Sequence, residues 1–186
     1  DGARPGSAVR GIRGGMHRLP EALRGEVARR ATIVTDATVD HVERTEAGWA
    51  VQAGERRWTS SALVVATPGE PAAVLLQGIG LDVEAAPATT VELVTLVLPA
   101  LEGAPAGSGA LVAEDAGIAA KALTHATAKW AWLADDAGDR SVVRISYGRA
   151  GQAPATAGLD DADAIALARR DASAILGIAV PEPIAA

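Results

Sequence analysis

The sequence predicts an α+β fold, with helices and hairpins in separate blocks. Three observations predict it. A helix-period apolar stripe at Leu19, Ala22, Leu23 and Val27 opens the chain. A run of short alternating segments between Thr32 and Ala66 follows, too closely spaced for crossover connections. A second strand-rich block between about 90 and 147 leads to a capped helix that begins at Asp160 or Asp161. The expected sheet in that second block is mixed and mainly antiparallel.

Residues 1–15 are rich in Gly, Arg and Pro and read as a loop. Pro20 suits a first helical turn, where its missing N–H costs nothing, and Arg29-Arg30 suit the helix end. Strand patterns then fall on Ile33-Val34, Val39 to Val42, Trp49 to Val51, Arg57 to Thr59 and Leu63 to Ala66. Glu46-Ala47-Gly48 and Gly54-Glu55 are the turns between them. Leu63–Ala66 is apolar on both faces and is expected to be a buried strand. Pro68-Gly69-Glu70-Pro71 breaks the pattern, and a short helix is expected over Ala72–Leu76. The division is placed near residue 70, giving 1–70 and 71–186. In the second part strands are expected near 90–98, 109–113, 117–126, 129–134 and 141–147. The last helix carries Ile165, Ala168, Ala172, Ile175 and Leu176 on one face and stops at Gly177.

Hydrophobic content of 49% and charged content of 22% are those of a globular domain with a real core. No apolar run is long enough to span a bilayer, and a cytoplasmic location is expected. Net charge is −6, which disfavours nucleic-acid binding. The chain has no Cys and only three His, so a structural zinc site is disfavoured. His17, His41 and His125 share no metal-ligand spacing. No Ser, from Ser7 to Ser173, sits in a G-x-S-x-G context, which disfavours a hydrolase. Asp160-Asp161-x-Asp163 has a metal-like look, but acids at a helix start explain it better.

Two lysines, Lys121 and Lys129, fall close together, and Arg144 and Arg149 follow. Apolar strands with a few cations at the rim suit a carboxylated, largely apolar ligand. The alternative is that these cations are solvated strand residues. Ala66-Thr67-Pro68 ends an apolar strand on small residues, where a ligand can approach, although an ordinary strand terminator reads the same way.

Gly14-Gly15-Met16-His17-Arg18-Leu19-Pro20-Glu21-Ala22-Leu23, the strand with Val39, and Leu63-Val64-Val65-Ala66-Thr67-Pro68 together resemble the flavin-containing amine oxidase superfamily. Further motifs are Pro105-x-Gly107-Ser108-Gly109-x-Leu111-Val112, Lys129-Trp130 and Tyr147-Gly148-Arg149-Ala150-Gly151. In this order they resemble the bacterial oxygen-dependent porphyrinogen oxidases, which act on protoporphyrinogen or coproporphyrinogen. The strand Val91-Glu92-Leu93-Val94-Thr95 has no Lys, where amine-oxidising members commonly carry one.

The resemblance implies a parent that oxidises a porphyrinogen to a porphyrin in haem biosynthesis, with FAD as cofactor and oxygen as oxidant. It implies that residues 1–70 are a partial FAD-binding domain, a helix and a β-meander, and 71–186 a substrate-binding domain. Val39, Ala66 and Thr67 would lie on the cofactor side, and Lys121, Lys129 and Arg149 on the substrate side. No catalytic base is named. No glycine-rich dinucleotide loop follows an early strand, so the chain reads as a central fragment. Such a fragment is expected to be inactive alone, to bind no FAD, and to self-associate through apolar surface on its first lobe. Alternatives are a truncated amine oxidase or carotenoid desaturase relative, and a non-enzymatic ligand-binding module.

Overall fold

A computed structural model describes residues 9–86 and 88–186. Residues 1–8 of the expected opening loop, Ser7 included, lie outside the described residues. The chain forms two compact units. One is Leu23–Ala88; the other joins the residues up to Ala22 with Thr89–Ala186.

The first helix, α1 (Arg18–Val27), begins with Pro20 in its opening turn and buries none of its residues. Leu19, Leu23 and Val27 recur every four residues on one face and are 47%, 56% and 45% exposed. The expected meander follows as β1 (His41–Thr45), β2 (Gly48–Ala53) and β3 (Arg56–Ser60), paired antiparallel in that order. Glu46-Ala47 and Gly54-Glu55 are its turns. Val42 and Ala50 are its buried centre. Arg57 pairs with Glu43 across the sheet, and the Arg44 guanidinium lies 5.6 Å from the Trp49 ring centroid.

Two expected strands in this unit do not form. Ile33-Val34 and Leu63–Ala66 join no strand among the described residues, and Val64 is 86% exposed rather than buried. A strand exists only when a neighbour takes its N–H and C=O groups. Among the described residues, none does so for 63–66. The next helix, α2 (Gly69–Gln77), starts three residues before the expected Ala72. Pro71 falls in its first turn, where the helix needs no N–H.

The second unit carries β4 (Glu92–Pro99), β5 (Gly109–Leu111), β6 (Ala122–His125), α3 (Ala126–Lys129), α4 (Ala131–Ala137), β7 (Arg140–Tyr147) and α5 (Asp161–Leu176). Its sheet has the order β4-β7-β6-β5, antiparallel throughout. Here 129–134, expected as a strand, is the end of α3 and the start of α4, broken at an extended Trp130. Alanines at 126, 128, 131, 134 and 137 favour helix and outweigh the alternation of Trp130 and Trp132. The expected strand over 117–126 shrinks to 122–125, and that over 109–113 to 109–111.

Period-two burial puts Ser141, Val143, Ile145 and Tyr147 of β7 inward. The last three, with Leu96, Leu98 and Leu123, meet Ala168, Ala172 and Leu176 of α5. The small alanines let the helix approach the sheet closely. Asp160 caps α5, accepting the Asp163 N–H at 2.9 Å, and Gly177 closes it in the left-handed region. Asp171, on the buried side of α5, accepts the Ala120 N–H at 2.8 Å. The tail returns to the edge of β4: Ile184 donates to Val97 at 2.7 Å, and Val97 to Ala185 at 2.9 Å.

Candidate functional site

β5 is the edge strand of its sheet and is exposed along its whole length, with Leu111 87% exposed. Its start depends on Gly109, at φ +145, where a Cβ would stand 2.2 Å from the Leu123 carbonyl oxygen. Only glycine lets the two backbones come so close. The Ser108 carbonyl accepts the His125 N–H at 3.0 Å and aligns the pair. Against this ribbon lies a groove of about 190 Å³ lined by Ser108–Leu111, Ala122–Thr124 and Lys129. Its wall mixes polar backbone and the side chains of Ser108 and Thr124 with the aliphatic ones of Ala110, Leu111, Ala122 and Leu123; its one charge is Lys129.

Of the three expected cations, the groove takes only Lys129. Lys121 is held by its backbone, donating to Ser146 at 2.7 Å and accepting from Val112 at 2.9 Å. Arg149 donates to the Val112 carbonyl at 3.0 Å and stands 4.0 Å from Glu114. Both therefore brace Val112, the residue after β5. Arg144 is exposed on β7. Lys129 has no ion-pair partner among the described residues, and its Nζ lies 5.2 Å from the Trp130 ring centroid. The sequence pointed to the Lys129-Trp130 pair only as a motif; its contact with the groove comes from the helical break at Trp130.

His17 and His41 are exposed, and no group of three metal-ligating side chains occurs among the described residues. His125 is 9% exposed, and burial pushes its imidazole below 6.5. Folding thus favours its neutral form. The stability this implies is complete above pH 6.5 and is lost as pH falls through the lower folded value. Melting curves between pH 7 and pH 5 are expected to show a falling midpoint, flattened in His125→Gln. An equal slope in the variant would assign the loss to other groups.

In the Leu23–Ala88 unit, Val39 lines a groove of about 260 Å³ with Thr32, Val34, Ala37, Val51, Ala53 and Trp58. The backbone of Val39 makes no hydrogen bond among the described residues, because the ladder with β2 begins at Asp40. Ala66 and Thr67 are exposed and do not line this groove.

The model of the family "Flavin containing amine oxidoreductase" matches residues 4–186. The chain belongs to this family. Among curated relatives, the "Coproporphyrinogen III oxidase" of Mycobacterium tuberculosis (strain ATCC 25618 / H37Rv) is 34% identical over 144 residues, 75% of this chain and 31% of that protein. The protein of the same name in Mycobacterium leprae (strain TN) is 31% identical over 166 residues, 86% of this chain and 36% of its own length. The crystal structure of a "Putative protoporphyrinogen oxidase from Exiguobacterium sp. 255-15" superposes with a TM-score of 0.77 at 20% identity, covering 97% of this chain and 39% of that one. It shares the fold. The chain spans about a third of the length of the curated relatives it matches.

Family membership implies FAD, and the Val39 groove fits part of it. An open backbone amide and carbonyl can read the edge of a flat heterocycle, and Trp58 and the aliphatic walls suit its faces. No helix N-terminus lines the groove, so it offers none of the converging N–H groups that hold a pyrophosphate.

Proposed function

We propose that this chain is part of an FAD-dependent oxidase that converts a porphyrinogen to a porphyrin in haem biosynthesis, in the cytoplasm, with oxygen as oxidant. The observation that carries the reading is the 34% identity to a protein named coproporphyrinogen III oxidase. The groove with aliphatic side chains on its wall and one cation, Lys129, supports it, because a porphyrinogen is an apolar macrocycle with carboxylate arms. FAD, when bound, supplies the redox chemistry; the protein binds and orients. Residues 1–70 are proposed to serve the cofactor side, with Val39, Ala66 and Thr67 nearest to it. Residues 71–186 are proposed to serve the substrate side, with Lys129 in the groove and Lys121 and Arg149 at the adjoining brace.

A chimera tests this directly. This chain would replace the matched region of the Mycobacterium tuberculosis relative. The purified chimera is expected to hold FAD and to consume oxygen on addition of coproporphyrinogen III. A flavin-loaded chimera without turnover would sink the substrate assignment. The 186-residue chain itself is expected to show no flavin absorption band and no porphyrinogen oxidation, since the Val39 groove lacks phosphate-binding elements. A yellow preparation with stoichiometric flavin would contradict that.

A further inference from the structure

Lys129 is the one cation that lines the β5–β6 groove. It is half-buried and, like Lys121, has no carboxylate partner among the described residues. A half-buried ammonium needs compensation. Part of it comes from the Trp130 ring, 5.2 Å away. That ring is itself fixed. Trp130 sits at the break between α3 and α4, its N–H donating to Ala126 and its carbonyl accepting from Leu133, both at 3.0 Å. The backbone at Gly11 lies against the ring, where a Cβ would come within 3.1 Å of Cη2 and Cζ3. A chain segment more than a hundred residues away in sequence thus holds the tryptophan that holds the lysine.

We propose that Lys129, positioned by Trp130 and by the backbone at Gly11, is the receptor for one carboxylate arm of the ligand in the β5–β6 groove. It thereby fixes which edge of a tetrapyrrole enters. The inference rests on the porphyrinogen reading and deepens it. The groove of about 190 Å³ suits one substituted pyrrole and not a whole macrocycle, so a single arm is read here. A charge-assisted hydrogen bond is roughly twice as strong as a neutral one and is directional enough to choose an orientation. Arg149 does not compete for the arm, because its guanidinium is held on the Val112 carbonyl, and Lys121 does not line the groove. Trp130 and Gly11 are positioning residues: they act through Lys129.

The test uses the 186-residue chain with its amines reductively methylated with ¹³C, which keeps their charge and labels the two lysines and the N-terminus. Lys129→Arg and Lys121→Arg assign the two signals. Coproporphyrin III, the oxidised tetra-acid, is titrated in, and its tetra-amide serves as control. The Lys129 signal is expected to shift and saturate, and the Lys121 signal to stay. Lys129→Gln is expected to weaken binding roughly tenfold, with rescue by Lys129→Arg. Gly11→Val is expected to move the Lys129 signal of the free protein and weaken binding severalfold. Binding that leaves Lys129 silent, or equal binding of acid and amide, would overturn the clamp and leave the porphyrinogen reading standing. No response to either compound would overturn both the clamp and the groove as a substrate wall.

Discussion

Asp171→Ala is expected to destabilise the unit containing α5 by about 2 kcal/mol. Two effects oppose each other. Removing a buried carboxylate relieves its desolvation, which favours the variant. It also leaves the N–H of Ala120, fully buried, without an acceptor, and opens a void beside Tyr147. The orphaned donor and the void win, because the carboxylate is the only acceptor that this N–H has among the described residues. Asp171→Asn keeps an acceptor oxygen and is expected to lose less. Denaturant midpoints followed by the near-ultraviolet signal of Tyr147, the single tyrosine, measure the difference. A neutral Asp171→Ala would show that the desolvation term dominates.

The same pair has a pH signature. Burial first, and then the charge of Asp171, push the Tyr147 phenol well above its ordinary 10.0. The folded chain then keeps a proton that the unfolded chain releases. Stability is complete below pH 10 and falls as pH rises above it. Ultraviolet titration reads this one phenol without assignment, and Asp171→Asn should bring its titration part of the way back down.

The second large effect concerns association. The Leu19, Leu23 and Val27 face of α1 and the exposed Val64 should drive the 186-residue chain to self-associate reversibly. Covering the exposed half of three such side chains on each of two copies gives on the order of 6 kcal/mol. The cost of association is of similar size, about 4–15 kcal/mol. A weak, concentration-dependent equilibrium is therefore expected, not a tight dimer. Leu23→Glu with Val27→Glu keeps good helix-formers or long polar side chains on the helix and should give a monomer by sedimentation. A monodisperse monomer of the parent chain at high concentration would end this proposal.

Elements whose signals are local were legible in the sequence. α5 carries its own cap, stripe and stop in Asp160, Ala168, Ala172 and Gly177, and it forms where expected. The meander was legible because two-residue turns fix its register. Leu63–Ala66 was misread because a continuous apolar run reports a preference for pairing, whereas pairing itself depends on a neighbour. Residues 129–134 were misread because two tryptophans mimic a strand while alanines around them propagate a helix. At the site, Lys129 was visible as a cation next to an aromatic. Its separation from Lys121 and Arg149 was not, because backbone contacts through Val112 decide it. Gly11 gave no signal, since a glycine in a Gly- and Arg-rich opening looks like any loop.

The packing of Gly11 on Trp130 also orders events during synthesis. The opening segment belongs with strands that leave the ribosome only after all of Leu23–Ala88 has been made. Translation proceeds from the N-terminus, so this segment waits without its partner while the intervening unit can already fold. Closing that long loop is a late step, and one whose entropy grows only slowly with the length inserted. The Lys129 groove is thus expected to be among the last parts of a nascent chain to acquire its final form.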